Sequence, residues 1–366
     1  MILDRYFARR FLQAFGMISG VFLALIMLID LIEQVRRFED VDVGLGQMLH
    51  LTVLNAPGAI SQILPLVMIL SAVVLFVGLA RTSELVVTRA TGRSGIRSLA
   101  APAAVALIIG LLAVTLLNPI VAATSNRYTQ LLEQFRGNGG GSVLSVSGEG
   151  LWLRQGSARG QSVIHADGHG ADAATLFGVT ILSYSPDGVP VRRIKADSAR
   201  LETDAWDLTN AKVWPLSAGT NPETQSTVHD SLRIPTTLTR DRIRESLGRP
   251  SGVSIYDLPA TIRQLNEAGF STRRHEVWYQ VALARPLFLV SMVLVGAAFT
   301  MRHTRFGGTG IAVLAAVLLG FALYFVRNFA QILGENGQIP VALAAWAPPL
   351  AAVFLSLGLL LHAEDG

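Results

Sequence analysis

Six stretches of the chain stay apolar for about 20 residues, the length an α-helix needs to cross a hydrocarbon layer of about 30 Å. They fall at 11–32, 58–80, 98–120, 278–301, 309–333 and 341–362. Between the third and fourth no such run occurs. There the pattern changes to short β-branched and aromatic segments separated by Gly, Asp, Asn and Pro. GLWLRQG, SVIHADG, TLFGVTILSYSPDG, VPVRRIKADSARLETD and AWDLTNAKVWP read as strands, and SPDGVP at 185–190 as a hairpin turn. Several strands at close spacing predict a β-sandwich or jelly roll. The expected fold is therefore an α-helical polytopic membrane protein with six transmembrane helices and an inserted all-β domain, a β-jelly roll. Spans one to three occupy 1–122, the β domain 123–255, a helical return 256–277 and spans four to six 278–366. GNGGGS at 137–142 reads as a flexible junction. In the return, Asp257 is placed to cap a helix two residues before Pro259, and Gly269 to stop it.

Composition agrees: 51% hydrophobic residues, 15% charged residues and a mean hydropathy of +0.46 do not suit a soluble chain of 366 residues. The net charge of +4 would point to nucleic acid in a soluble protein, but here Arg clusters beside the apolar runs, where it sets topology. Arg5, Arg9 and Arg10, then Arg81, Arg89, Arg93 and Arg97, then Arg302 and Arg305 all fall on one side. On the other, Arg36 and Arg37 are offset by Glu33, Glu39, Asp40 and Asp42. The expected orientation puts both termini in the cytoplasm and the β domain outside the inner membrane. The run 11–32 is too long for a signal-peptide core and lacks a small-residue cleavage site, so it reads as a retained span.

Catalytic and metal motifs are sparse. The chain has two Lys, Lys195 and Lys212, and neither follows a Gly-rich turn, so no phosphate loop exists and the chain is no P-loop ATPase. Absence of Cys excludes disulfides and Cys-ligated metal. His165 and His169 in HADGH are four apart, but Asp167 and Gly168 make a turn there more readily than a helix face. HEVWY at 275 lacks the second His of a zinc-protease motif. GSVLSVSGEG has no nucleophile elbow and reads as a turn and edge strand. No catalytic residue, metal or cofactor is expected in this chain.

RTSELVVTRATG at 81–92, between the second and third spans, is more apolar than a linker requires. Ser83 could cap a short helix, with Glu84 in its first turn favoured by the helix dipole. From composition alone two readings stay open: an interfacial linker on anionic headgroups, or a helix presented to a partner.

This block, the six-span layout with a β domain after the third span, ILPLVMILSAVV at 63–74, GLWLRQG at 150–156 and IPVALAAWAPPL before the last span together resemble the LptF/LptG permeases of lipopolysaccharide export, the LptG branch more than the LptF branch. The resemblance runs over essentially the whole chain. It implies a bacterial, Gram-negative inner-membrane transporter half that pairs with LptF above a dimer of the ATPase LptB, which binds the ATP and Mg, and that works with LptC and the periplasmic Lpt bridge. SELVVTRATG would be the coupling helix, with Glu84 and Arg89 as polar contacts to the ATPase and Leu85 and Val86 as apolar ones.

The same resemblance implies a cavity for an anionic lipid. Arg36 and Arg37 match a basic pair carried by family members. Arg127, just past the third span, and Arg285 and Arg327, within the fourth and fifth, are further candidates for lipid phosphate; an Arg within a span costs about 2.5–3.5 kcal/mol on insertion scales, so Arg285 and Arg327 need a partner. Snorkelling, Glu335 or backbone carbonyls are the ordinary alternative. Asp30 stands where some relatives carry a basic residue; it could pair with an Arg across the cavity or be a neutral end residue. In the β domain, Leu151, Leu153, Val163, Phe177, Val179 and Ile181 could line a path for acyl chains, and would equally suit an ordinary sandwich core.

Overall fold

The computed structural model describes residues 2–39, 43–90, 94–135, 143–147, 150–157, 160–169, 175–202, 205–216, 221–236, 252–267, 271–301 and 309–365. The chain forms two compact units: residues 1–128 with 273–366, and residues 129–272.

The first unit is helical: α1 (Ile2–Arg37), α2 (Leu45–Arg81), a short α3 (Glu84–Ala90), α4 (Gly95–Leu112), a π-helical turn (Ala113–Leu117), α5 (Asn118–Phe135), α7 (Arg273–Thr300), α8 (Thr309–Glu335) and α9 (Val341–Asp365). Among the described residues six helical segments are long and apolar enough to cross a membrane, Gly95–Leu132 counting as one. Most outrun the apolar windows that announce them. Hydropathy marks the hydrocarbon-facing stretch, whereas the i→i−4 ladder continues while the backbone has partners.

The centre of the bundle is α7, which packs against α2, α4, α8 and α9. Between helices in lipid there is no hydrophobic driving force, so close packing through small residues has to hold them. A Cβ placed on Gly110 would lie 2.5 Å from the Pro286 Cα, and one on Gly296 would lie 2.8 Å from the Ala72 Cβ. Glycine is thus the residue that lets α4 and α2 reach α7. At the far end, Arg273 donates from Nε to the Gly334 carbonyl (2.7 Å) and from Nη2 to that of Ile339 (2.6 Å), bracing the α8–α9 connection.

The second unit is one antiparallel sheet whose strands follow one another in order: β1 (Val143–Ser147), β2 (Gly150–Ser157), β3 (Gly160–His169), β4 (Thr175–Tyr184), β5 (Pro190–Leu201), β6 (Ala205–Pro215) and β7 (Thr227–Pro235). Register aligns Leu153, Ile164, Ile181, Ile194 and Val213 in one row across five strands. The buried positions then slip. Leu176 and Val179, Ala196 and Ala199, and Leu208 and Ala211 are buried three apart rather than two. The slip coincides with positive φ at Gly178 (61°) and Asn210 (53°), while the pairing register on either side continues. The sheet therefore bends across three strands, and both halves feed one core cluster. A Cβ on Gly178 would collide with the Asp167 carboxylate.

The hairpin expected at SPDGVP is present: Ser185 N–H donates to the Val189 carbonyl (2.8 Å), with Gly188 at φ 80°. HADGH is part of β3 rather than a turn, because residues from His165 to His169 pair with β4. The helical return comprises α6 (Leu258–Glu267) and the first turn of α7. Asp257 stands just before α6, but among the described residues its carbonyl rather than its side chain takes part, accepting from Thr261 N–H (2.9 Å). Leu265 packs into the β core, so α6 belongs with the sheet unit. The junction 137–142, Gly269, Arg302 and Arg305 lie outside the described residues.

Candidate functional site

Between α2 and α3 the chain turns at Ser83, whose φ of 57° is uncommon for a residue with a side chain. Its carbonyl accepts from Val86 and Val87 N–H (3.1 and 3.2 Å), but its hydroxyl makes no capping bond among the described residues, contrary to the sequence expectation. Glu84 holds the corner instead. Its Oε2 accepts from the Tyr6 hydroxyl (2.8 Å), its Oε1 accepts from the Thr82 hydroxyl (2.9 Å), and Arg10 lies 3.6 Å from Oε1. The Arg10 guanidinium also sits over the Tyr6 ring, 5.2 Å from its centroid.

Helical spacing splits α3 into two faces. Leu85 and Thr88 point into the bundle, where Leu85 joins Phe7, Phe11 and Leu79 in the main core. Val86 and Val87 are exposed, at 49% and 64%. Of the two expected apolar contacts, Val86 is therefore exposed, whereas Leu85, 6% exposed, is packed in its own bundle. Val87 is the second exposed apolar side chain of α3, beside Val86. The Arg89 side chain lies outside the described residues.

The candidate cations form two groups. At the C-terminal end of α1, Arg37 donates to the Tyr128 hydroxyl (3.3 Å) and lies 3.5 Å from Glu33, while the buried Gln34 donates to the same hydroxyl (3.0 Å). Tyr128 thereby ties α5 to α1, and Arg127, exposed, is its neighbour in sequence. Arg36 is exposed and makes no hydrogen bond or ion pair among the described residues. Deeper in the bundle, Arg285 of α7 donates to the Ser61 hydroxyl of α2 (2.7 Å). Arg327 of α8 stacks over Phe288 (5.3 Å to the centroid) and touches Asn328 Oδ1 at 3.4 Å. Neither has a carboxylate within ion-pair distance among the described residues. Glu335, the alternative partner, bonds Gln331 and lies 3.8 Å from Arg274.

Asp30 pairs with no Arg among the described residues. Asn55 Nδ2 donates to its Oδ1 (2.9 Å), and its Oδ2 is buried without a partner. Ser61 lies six residues further along α2 than Asn55, about 9 Å at helical rise. The Arg285 level is thus deeper than the Asp30 level, and Arg36 and Arg37 lie beyond Asp30 toward the end of α1.

In the sheet, Leu153, Val179 and Ile181 are buried on one face in a single cluster. Phe177 is 49% exposed and Val163 half-buried; Val163 pairs across β3 and β4 with Leu182 rather than with the buried row. Leu151 pairs with Ala166, its side chain outside the described set. The six proposed path residues therefore do not share one face. No cluster of three or more His, Asp or Glu suited to a metal occurs among the described residues; His165 instead stacks on Trp152 (4.3 Å between centroids).

Comparison with known proteins matches residues 5–362 to the model of the lipopolysaccharide export system permease LptF/LptG. The chain belongs to this family. Similar proteins include the lipopolysaccharide export system permease protein LptG of Haemophilus influenzae, 25% identical over 387 residues with 99% of each chain covered. The LptG of Escherichia coli K12 is 24% identical over 375 residues, covering 99% of this chain and 98% of the relative. As an LptF/LptG family member with six spanning helices, the chain is a multi-pass inner-membrane protein and a transporter subunit rather than an enzyme.

Several residues of the site escape a reading of motifs. Tyr6, Ser61, Asn55, Phe288 and Tyr128 are unremarkable in sequence, and each acquires its part through a contact with a distant helix position, while Thr82 acts on Glu84 two residues on. One signal was available for Tyr6: it precedes Arg10 by four residues, the spacing that stacks a cation on a ring along one helix face.

Proposed function

We propose that this LptF/LptG family chain is the LptG-type half of an ABC permease that lifts lipopolysaccharide from the outer leaflet of the inner membrane into a periplasmic Lpt bridge. LptF is the second half, a dimer of LptB supplies ATP hydrolysis with its bound ATP and Mg, and LptC joins on the periplasmic side. The positive-inside distribution of Arg supports cytoplasmic termini, a cytoplasmic α3 and a periplasmic sheet unit.

The observation that carries the reading is α3. A seven-residue helix between two spans exposes adjacent valines while its other face is locked into the bundle. A free interfacial linker has no need of that lock; a helix that takes thrust from an ATPase groove does. Val86 and Val87 would fill the groove, with Arg89 beside them.

The cations fit an anionic lipid. Arg285 and Arg327 hold their charge among apolar helices with a hydroxyl, an amide and an aromatic face, none of which neutralises it. Lipid A phosphate supplies the missing anion, and Arg favours it through paired N–H donors. Arg36, Arg37 and Arg127 would form an outer station. ATP binding would close the cavity and drive lipid toward the sheet unit, where Leu153, Val179 and Ile181 offer an apolar face; hydrolysis would reset the cycle.

The test is to express the chain with candidate LptB and LptF, purify by a tag on this chain and measure ATP hydrolysis with and without lipopolysaccharide. A stoichiometric complex with lipid-sensitive hydrolysis is expected. Recovery of an ATPase without LptF, or of none, overturns the reading.

A further inference from the structure

Glu84 faces its own chain, and this changes what it can do. We propose that Tyr6 and Arg10 are positioning residues that latch α3 to α1 through Glu84, so that thrust on α3 passes directly into α1 as well as along the chain into α2. The inference rests on the proposed role of α3 as the coupling helix and specifies where its motion goes.

Three observations converge. The first is the polar grip: the Tyr6 hydroxyl at 2.8 Å and Arg10 at 3.6 Å meet one carboxylate, and the guanidinium over the Tyr6 ring holds both donors in place. The second is apolar: one residue on, Leu85 is buried in a core cluster to which α1 contributes Phe7 and Phe11 and α2 contributes Leu79. The third is the joint between α2 and α3. Ser83 at φ 57° is a strained bend, and such a conformation persists where surrounding contacts over-determine it. α3 is therefore held to α2 through the Ser83 bend and the Thr82 hydroxyl, and to α1, distant in sequence, through Tyr6 and Arg10.

α1 suits transmission. It is one helix of 36 residues without proline, about 54 Å long, with the latch at one end and Arg36 and Arg37 at the other. Asp30, Gln34 and Arg37 give its far end polar contacts to α2 and α5. A shift of α3 would move the outer cation station by shifting α1 as a rod.

The experiment compares wild type, Tyr6→Phe, the double variant Tyr6→Phe with Arg10→Gln, and Arg9→Gln as an exposed control outside the latch. Each is reconstituted with candidate LptB and LptF in proteoliposomes holding lipopolysaccharide, and lipid released per ATP hydrolysed is measured. Loss of a hydrogen bond to a charged acceptor shifts a docked-to-free ratio by about tenfold. Tyr6→Phe should therefore lower lipid released per ATP by about that factor without lowering recovery of the complex, and Arg9→Gln should match wild type. Release per ATP at the wild-type level in the double variant overturns the latch.

If wild type itself shows no lipid-dependent turnover, the transport reading fails, and the latch is decided on the full chain alone. The chain has no Cys, so spin labels can be placed through Leu12→Cys and Val87→Cys, both exposed positions. A single narrow distance that broadens in the double latch variant supports the proposal; an unchanged distribution overturns it.

Discussion

Arg285 on α7 and Ser61 on α2 meet through a 2.7 Å hydrogen bond in the middle of the bundle, more than 200 positions apart in sequence. The hydroxyl satisfies one guanidinium N–H and leaves the charge uncompensated. Replacing Arg285 or Arg327 with Gln should lower photocrosslinking of lipopolysaccharide to the cavity about tenfold, the order expected for losing a charge-assisted contact. Recovery of the complex should be unchanged. Crosslinking at the wild-type level in both variants would remove these residues from the lipid site.

The two faces of α3 predict opposite phenotypes. Val87→Asp should abolish co-purification of LptB while leaving the melting temperature of the chain unaltered. Leu85→Ala should instead destabilise the chain by about 2–5 kcal/mol, the usual cost of emptying a buried leucine site. Pull-down and thermal unfolding on the same preparations separate the effects; loss of LptB with Leu85→Ala at unchanged melting temperature would argue against the assignment.

Glycine positions divide in the same way. Gly296→Leu and Gly110→Leu force side chains into contacts that leave no room for a Cβ, so both should lower thermal stability sharply and reduce recovery of folded chain. Gly16→Ala meets nothing within 4 Å and should be neutral or slightly stabilising, by up to about 1 kcal/mol. Comparison of melting temperatures in detergent decides it.

Burial parity in the sheet predicts that Val179→Asp unfolds the β unit, since the side chain is fully buried in the cluster shared by β2 to β7. Phe177→Asp, two residues earlier and half-exposed, should leave folding intact. Limited proteolysis of the two variants reads the difference; equal sensitivity would contradict the change of buried face at Gly178.

A pH dependence follows from Glu223. Hydrogen bonds from Lys212 and the Trp214 indole hold its carboxyl below the ordinary value of 4.5. A carboxyl whose folded-state value is depressed stabilises the fold fully above its unfolded value and loses that contribution as pH falls through the folded one. The turn 221–225 should thus stay anchored at neutral pH and loosen below about pH 4.5, seen as a change in Trp214 fluorescence that Glu223→Gln eliminates. A transition persisting in Glu223→Gln would assign it elsewhere.

Much of the architecture was legible because it is local. A run of 20 apolar residues has few fates other than a span, and a switch from that pattern to alternating segments with Gly and Asp turns marks an inserted β unit. The hairpin at Gly188 and the position of α3 between Arg81 and Arg97 follow from residues within a turn of each other. The family resemblance rested on such contiguous blocks.

What was not legible depends on contacts between remote residues. Nothing in SELVV says that Glu84 turns toward Tyr6 or that Leu85 is buried and Val87 is not. A seven-residue helix offers too few positions for a periodic pattern, and the fate of each face is set by the helices folded against it, α1 and α2. In HADGH, turn-forming residues were overruled because β4 supplies backbone partners along its length. The faces of β4 could not be read from alternation either, since the bend at Gly178 breaks the period of two. Spans, the β insertion and the basic ends were thus determined by the sequence alone, through hydropathy and local turn chemistry. The grip on α3, the hydroxyl beside Arg285 and the sheet's buried face were decided by tertiary structure, because only folding brings residues dozens to hundreds of positions apart within hydrogen-bonding or packing distance.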